Sequence, residues 1–281
     1  MPVRFGISTH LYHDRQLTCD HLAEIAAYGF ESIELFATRS HFDYHDETVI
    51  SSLKRWLEDT KLTLHGIHAP VAESFLDGVW SASLSNATTD SIRRMHAIRE
   101  AEQALQIARL IHTHYLIVHL GTPTNQSSQE SDNCRKAAIQ SLQELHQLAS
   151  PFDVKIALEV IPNGLSTANS LVHMLEDELR LPGIGICMDF GHAFLTGDLI
   201  DEIETASGHV ITTHVHDNGG VRDDHLVPFD GLIDWSGALT AIQKIGYEGA
   251  FVLELENTST PSAVLEKAQR ARKRFERILV P

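Results

Sequence analysis

Cysteine is scarce in this chain of 281 residues, and its spacing forms no recognisable pattern. The three cysteines, Cys19, Cys134 and Cys187, include no CxxC pair and leave one thiol over. Such an arrangement supports neither a disulfide framework nor a zinc ribbon. We therefore expect a reducing, cytoplasmic setting.

Long apolar runs are also missing. Nowhere do about 18 apolar residues follow one another, which is the length that a membrane-spanning helix needs. The N-terminus enters a strand-like segment directly, without a charged region followed by a long apolar stretch. We expect neither export nor a membrane span.

Glycine motifs that cradle nucleotides are absent as well. No G-x-G-x-x-G follows the first strand-like segment, and no G-x-x-x-x-G-K-[ST] occurs. These absences argue against a Rossmann fold and a phosphate loop. If the protein has a cofactor, we expect a metal ion.

Basic residues are few, because 22 lysines and arginines stand against 38 aspartates and glutamates, for a formal net charge of -16. Proteins that bind nucleic acid through long-range electrostatic attraction need clustered positive charge. A cluster between Lys267 and Arg277 is better interpreted as a solvated helix face. A nucleic-acid partner is therefore not expected, although a local basic groove stays open.

Histidine, by contrast, is abundant. The 18 histidines are many for this length and hint at metal chemistry, while 43% hydrophobic residues are ample for a core. Imidazole combined with carboxylate suits zinc, manganese or iron better than magnesium or calcium.

Strand-like and helix-like segments alternate eight times along the chain. The predicted strands are 3–8, Ser32–Phe36, Leu62–Ile67, Tyr115–Val118, Val154–Leu158, Ile184–Met188, Val210–Thr213 and Ala250–Leu253. The predicted helices run from Thr18 to Gly29, Asp46 to Asp59, Asp90 to His112, Asn133 to Ala149, Ala168 to Leu179, Leu199 to Ala206, Trp235 to Lys244 and Pro261 to Ile278. Eight such units predict an α/β fold of the (β/α)8 TIM barrel type, with residues 1–281 as a single domain.

Six consecutive predicted strands end on a metal-competent side chain. These are His68, His119, Glu159, Asp189, His214 and Glu254. Because the carboxyl ends of barrel strands converge on one mouth, we expect these side chains to meet there. Carboxylates buried together repel one another, and a divalent cation is the usual compensation.

Two short motifs extend this set. His192 follows Asp189 by three residues, and Gly191 between them is expected to let the chain turn back sharply. Asp223 and His225 are at i and i+2, so that an extended segment projects both to the same side.

The chain resembles the xylose isomerase-like superfamily of TIM barrels, which contains sugar isomerases and epimerases together with endonuclease IV-type enzymes. The resemblance runs from Phe5 to about Glu254. It is carried by His68-Ala-Pro, Val118-His-Leu-Gly121, Asp189-Phe-Gly-His-Ala-Phe, His214-Val-His-Asp-Asn, Asp223-Asp-His225 and Gly231-Leu-Ile-Asp-Trp235.

The resemblance implies two alternative metal sites. In the sugar branch, one manganese-type ion is held by the counterparts of Glu159, Asp189, His214 and Glu254, and the two glutamates move a proton next to a carbonyl. In the endonuclease IV branch, three zincs are held by these four together with His68, His119, His192, Asp223 and His225. The chain departs from the sugar branch at Phe229-Asp-Gly231, where Gly-Glu-Gly is common, and at Val160, where Asn is frequent.

Further residues are candidates for the site. His216, two residues after His214, is interpreted as a supporting or substrate-binding residue, because the family pattern favours His214 as the ligand. His10, His68 and Trp80 are candidates for substrate contact, although His10 also fits an ordinary polar loop and Trp80 fits a packing role. The other histidines, His13 among them, receive no role.

Our first hypothesis is a divalent-metal-dependent isomerase or epimerase of a sugar or sugar acid, with one to three ions of manganese or zinc. Glu159 and Glu254 would transfer the proton, and His192 would orient a substrate oxygen. A trinuclear-zinc phosphoesterase, acting on abasic DNA or a small phosphate ester, is the alternative, and a non-catalytic sugar- or metal-binding protein is a third. Self-association stays open.

Overall fold

Eight parallel strands close into a barrel in the computed structural model, which describes residues 3–124 and 130–279. Strands β1 to β10 are Arg4–Ser8, Ser32–Phe36, Thr63–His68, Phe75–Leu76, Val79–Trp80, Tyr115–Val118, Lys155–Glu159, Ile184–Asp189, Val210–Val215 and Ala250–Leu253. The short strands β4 and β5 form a separate antiparallel hairpin, and the other eight form the barrel. The TIM barrel expected from the sequence is confirmed.

Helices cover the outside of the barrel. In chain order, α1 to α9 are Cys19–Ala27, Glu47–Thr60, Ser91–Leu105, Arg135–Ala149, Ala168–His173, Phe190–Thr196, Leu199–Thr205, Trp235–Lys244 and Pro261–Leu279. Within the described residues, no helix combines the length and the apolar character needed to cross a bilayer.

Aspartates begin five of these helices, each accepting a hydrogen bond from a backbone N–H of the first turn. They are Asp46 of α2, Asp90 of α3, Asp189 of α6, Asp198 of α7 and Asp234 of α8. A carboxylate at this position satisfies backbone donors that have no partner inside the helix. Each cap thus fixes where its helix begins.

The structure differs from the sequence prediction in several bounds. The hairpin of β4 and β5 lies in a stretch expected to be irregular, because the alternation there spans only two residues per strand. The helix predicted to reach His112 ends at Leu105 and tightens into a 3-10 turn, Gln106–Arg109, which carries Ile107 into the core. Helix α6 was not predicted, and it begins directly after the last residue of β8.

The core between barrel and helices is centred on aromatic side chains near the C-terminal helix. Phe275 is 1% exposed and packs against Trp235 and Phe251, with ring centroids 5.0 and 6.1 Å away. Phe5 of β1 lies on its other side at 6.3 Å. The final helix is therefore tied to both the first and the last strands of the barrel.

We predict that Phe275→Ala lowers the free energy of unfolding by about 3–5 kcal/mol, because the aromatic cluster cannot close over the lost ring. Chemical denaturation followed by circular dichroism measures the change. The control is Ile92→Ala in α3. Ile92 is 80% exposed, so we expect its replacement to change the free energy of unfolding by less than about 0.5 kcal/mol. Equal losses in the two variants would contradict this account of the core.

Candidate functional site

Four side chains from consecutive strand ends meet at the carboxyl end of the barrel. They are Glu159 of β7, Asp189 of β8, His214 of β9 and Glu254, which follows β10. The Nδ1 atom of His214 lies 3.3 Å from a carboxylate oxygen of Glu159, 3.7 Å from one of Asp189 and 3.3 Å from one of Glu254. We call these four residues the central group.

The atoms of the central group fit a divalent cation. One ligand atom from each residue lies within 4.8 Å of all the others. Nδ1 of His214 and Oε1 of Glu159 are buried and have no hydrogen-bond partner, although both point to the same centre. One imidazole and three carboxylates are a donor set that suits manganese or zinc.

Glu34 of β2 orients the histidine of the central group. It is fully buried, and its Oε2 accepts a hydrogen bond from Nε2 of His214 at 3.1 Å, while its Oε1 lies 2.9 Å from the same nitrogen. With Nε2 occupied in this way, only Nδ1 remains to face the centre. This is the carboxylate–histidine arrangement that fixes ligating imidazoles in metalloproteins.

Two further histidines hold the other oxygen of Glu159. Nε2 of His68 lies 3.1 Å from Oε2, and Nε2 of His119 lies 3.0 Å from it. The opposite nitrogen of His68 contacts the carbonyl oxygen of Ala69 at 2.9 Å. The three residues His68, His119 and Glu159 form a second group of donors with metal-ligand spacing.

A third group lies on the side of the loop after β9. Nε2 of His192 and Nε2 of His225 both contact Oδ2 of Asp223, at 2.9 and 3.1 Å. Asp223 and His225 come together as expected, but His225 has a φ of 42°, so the segment turns there and is not extended. His216 belongs to the same cluster and stacks on His225 with ring centroids 4.0 Å apart.

His192 connects the central group with the third. Its Nε2 contacts Asp223, whereas its Nδ1 lies 3.2 Å from Glu159 and 3.4 Å from Asp189 without hydrogen-bond geometry. The ring is 3% exposed. Both of its nitrogens are thus directed at carboxylates that belong to different donor groups.

Asp189 both ends β8 and begins α6. Its Oδ1 accepts from the backbone N–H of His192 at 2.7 Å, which places the imidazole one turn further on. Gly191 lies within α6, so the expected sharp turn is wrong. A Cβ there would lie 2.0–2.6 Å from the ring of His216, so glycine is required for this close approach.

Buried histidines compensate the charge of the carboxylates. Burial lowers the pKa of His214, but Cys187 and the surrounding carboxylates, Glu34 first, raise it more, and the net pKa lies well above its ordinary value. Burial also lowers the pKa of His192, but the nearby charge of Asp189 raises it. The net pKa of His192 lies well above its ordinary value. These protons supply positive charge that a bound cation would displace.

A cavity of about 330 Å³ opens above these groups. Its lining includes the polar side chains Glu254, His68, His119, His192, Asp223 and His225 and the apolar side chains Phe36, Val71, Trp80 and Leu84. The volume is that of a small-ligand pocket. Glu254 is the member of the central group that lines it.

His10 and Trp80 both line this cavity. Burial lowers the pKa of His10 well below its ordinary value, and His225 lowers it further, so the ring is neutral. Its Nδ1 lies 3.1 Å from the carbonyl oxygen of Leu255, which leaves Nε2 as an acceptor. Trp80 is 38% exposed and stacks on the ring of His13 at 5.3 Å.

His216 does not line the cavity, in contrast to the expectation of substrate contact. It is fully buried, and its Nε2 lies 3.0 Å from Oδ1 of Asp189. The ring of His216 packs against Gly191 and His225 and lies beneath the cavity. Its contact with Asp189 agrees with the supporting role that the sequence analysis gave as one of two alternatives.

Sequence reasoning missed three residues of the site. Glu34 interrupts the apolar strand Ser32–Phe36, and a single charge in a buried strand was the available signal. His13 and Glu256 line the cavity, yet each lies in a loop whose course the sequence does not reveal. His13 follows His10 by one helical turn, and Glu256 follows Glu254 by two residues.

A family model agrees with this geometry. The model described as the xylose isomerase-like TIM barrel matches residues 22–277. The chain belongs to this family. The resemblance seen in the sequence motifs is thereby confirmed.

Several proteins and solved structures are similar to this protein over most of the chain. The inosose isomerase of Bacillus velezensis is 24% identical over 229 residues, covering 76% of this chain and 79% of that protein. A crystal structure of a D-tagatose 3-epimerase-like protein has a TM-score of 0.80 at 23% identity, covering 99% of this chain and 98% of its own. The IOLI protein with a bound zinc atom has a TM-score of 0.76 at 18% identity and covers 98% of both chains. Relatives of this protein thus include sugar isomerases and epimerases.

We predict that Glu34→Gln weakens manganese binding about 10–100-fold, because His214 loses the carboxylate that orients its ring and raises its basicity. Isothermal titration with Mn²⁺ measures the affinity. The matched control is Glu100→Gln, which alters another buried carboxylate, held by Tyr44 at 2.6 Å on the outer face of the barrel. The control should keep its manganese affinity, and equal weakening in both variants would refute the orienting role of Glu34.

Proposed function

We propose that this protein is a divalent-metal-dependent isomerase or epimerase of a small carbohydrate. The observation that carries the proposal is the central group, with three buried carboxylates around one histidine and with Glu254 open to a cavity of sugar size. The similarity to sugar isomerases and epimerases supports the same conclusion.

Glu159, Asp189, His214 and Glu254 would hold the ion. A divalent ion in this position supplies Lewis acidity, which makes the C–H bond next to a carbonyl more acidic. The unpartnered Nδ1 of His214 and Oε1 of Glu159 support this assignment, because buried polar atoms rarely lack a partner. The proposed ion is manganese or zinc.

Glu254 and Glu159 would move the proton. Glu254 lines the cavity, so its carboxylate can approach a substrate carbon directly. Glu159 lies just below, and His68 and His119 hold one of its oxygens while the other stays unpartnered. Two carboxylates on different strands can take a proton from one face of a carbon and return it to the other.

Other residues of the cavity would orient the substrate. His192 lines the cavity with its Nε2 held by Asp223 and its Nδ1 facing Glu159 and Asp189, so it would orient a substrate oxygen by exchanging the contact with Asp223 for one with a hydroxyl. Nε2 of His10 offers a neutral acceptor, and the ring of Trp80 offers a flat apolar surface for the C–H face of a sugar.

A second candidate is a trinuclear-zinc phosphoesterase. The specific observation in its favour is that two further donor groups adjoin the central one: His68 and His119 share Glu159 with it, and His192 connects it with Asp223 and His225. Its substrates would be phosphate esters, and the acidic surface with its net charge of -16 disfavours DNA among them. The isomerase remains our proposal.

We predict that Glu159→Gln and Glu254→Gln each reduce solvent deuterium exchange into a responsive ketose by at least about 100-fold, since an amide cannot accept the proton. Nuclear magnetic resonance of manganese-loaded protein in heavy water with each sugar of a ketose panel measures the exchange. Metal content is determined in parallel, because both residues also belong to the central group.

Glu144→Gln is the control for this pair, because Glu144 is an exposed glutamate of α4 that pairs with Arg94. We expect wild-type exchange in this variant. Full exchange by Glu159→Gln or Glu254→Gln would exclude the proposed proton transfer. Nicking of an abasic duplex by the purified protein would favour the phosphoesterase instead.

A further inference from the structure

The loops at the mouth of the barrel contain very few cations. Among the residues that follow the eight barrel strands up to the next helix, the sequence has only Arg15, Arg39 and Arg222. The stretch 125–129, which the structure does not describe, reads Asn-Gln-Ser-Ser-Gln and adds no charge.

Each of these three arginines already faces carboxylates. Arg15 pairs with Asp14 at 2.7 Å, Arg39 lies 3.6 Å from Glu73 and 3.7 Å from Asp43, and Arg222 lies 3.5 Å from Asp224. None of the three arginines is among the residues that line the cavity. The described loops at the mouth therefore offer no unpaired lysine or arginine to a negatively charged ligand.

The N-terminus of α8, which follows the seventh barrel strand, is also occupied. In TIM barrels a phosphate commonly binds at the loops after strands seven and eight and at a nearby helix N-terminus. Here the N-terminus of α8 is capped by its own Asp234, whose carboxylate accepts from the N–H groups of Ser236 and Gly237 at 3.1 and 3.2 Å.

The loop between β9 and α8 is built around an internal carboxylate. Asp217 is fully buried and accepts hydrogen bonds from N–H of Phe229 at 2.9 Å, N–H of Ile233 at 3.1 Å and Nε1 of Trp235 at 2.8 Å. A Cβ on Gly231 would lie 2.3 Å from the same carboxylate. The donors that could have held a phosphate in this loop are thus used by the protein itself.

The cavity wall adds further negative charge. Glu254, Glu256 and Asp223 all line it, and the side chain of Glu256 is 40% exposed. The central group carries three carboxylates, Glu254 among them, so that a single divalent ion leaves no net positive charge there. The apolar part of the lining includes Phe36 and Trp80, which contact the rings of His10 and His13.

From these observations we propose that the cavity selects an uncharged ketose or keto-polyol and rejects sugar phosphates and sugar acids. This inference rests on the proposed isomerase function and narrows its substrate class. A dianionic ester would be placed beside Glu256 without a lysine or arginine to pair with, since the histidines of the cavity wall already face carboxylates. An uncharged sugar instead finds hydroxyl partners in the histidines and an apolar face in Trp80.

The test compares free sugars with their phosphate esters on the manganese-loaded protein. The pairs are D-fructose with D-fructose 6-phosphate, D-tagatose with its 6-phosphate, and D-ribulose with its 5-phosphate. Deuterium exchange from solvent gives kcat/KM for each. We expect the free sugar of a responsive pair to exceed its ester by at least about 100-fold, because like charges brought together in a site are strongly disfavoured.

A charge reversal at the wall sharpens this test. Glu256→Lys should lower the ratio of kcat/KM for the free sugar to kcat/KM for its ester about 10-fold at low salt. The decrease should be smaller at high salt, because exposed charges are screened there. The control Glu266→Lys places the same charge on the outside of α9, where Glu266 pairs with Arg270, and should leave the ratio unchanged.

The outcomes separate the two proposals. Exchange with the esters at equal or greater kcat/KM would overturn the substrate assignment and leave the isomerase proposal standing. Absence of exchange with every sugar and every ester would overturn both. A preference for free sugars that Glu256→Lys narrows and Glu266→Lys does not would support both.

Discussion

Buried negative charge is the constraint on which the site depends. Glu34, Glu159, Asp189 and Glu254 lie within the closed barrel or at its mouth with at most 3% exposure. The ion pairs of the described residues match these four with histidines and with no lysine or arginine. Burying a carboxylate is energetically unfavourable unless its charge is compensated. Histidines with raised pKa values are protonated and supply part of this compensating charge. A divalent ion is the compensation that also gives the site its chemistry.

His192 has a different role in each of the two alternative functions. One nitrogen faces the central group, and the other is held by Asp223, so the ring can either orient a substrate or complete a further metal site. The same loop that supplies Asp223 and His225 also contains Asp217, which consumes the backbone donors of the segment. The structure of this loop therefore affects both the number of ions that bind, through Asp223 and His225, and the substrates that are accepted, through Asp217.

Much of the fold and half of the site follow from local sequence patterns. Short apolar runs alternating with amphipathic segments predict the barrel, and parallel strands bring their final residues together, so Glu159, Asp189 and His214 could be grouped without coordinates. Glu34 could not, because a charged residue inside a strand also fits a solvent-facing position. The close approach of His216 to Gly191 depends on the spacing between β9 and α6, which no local pattern encodes.

The most direct test of the account is a crystal of the protein grown with Mn²⁺ and measured at the manganese absorption edge. We predict the strongest anomalous peak among Glu159, Asp189, His214 and Glu254, with ligand distances of about 2.0–2.2 Å, close to those at zinc. An empty central group, with ions confined to His192, Asp223 and His225 or absent altogether, would contradict it.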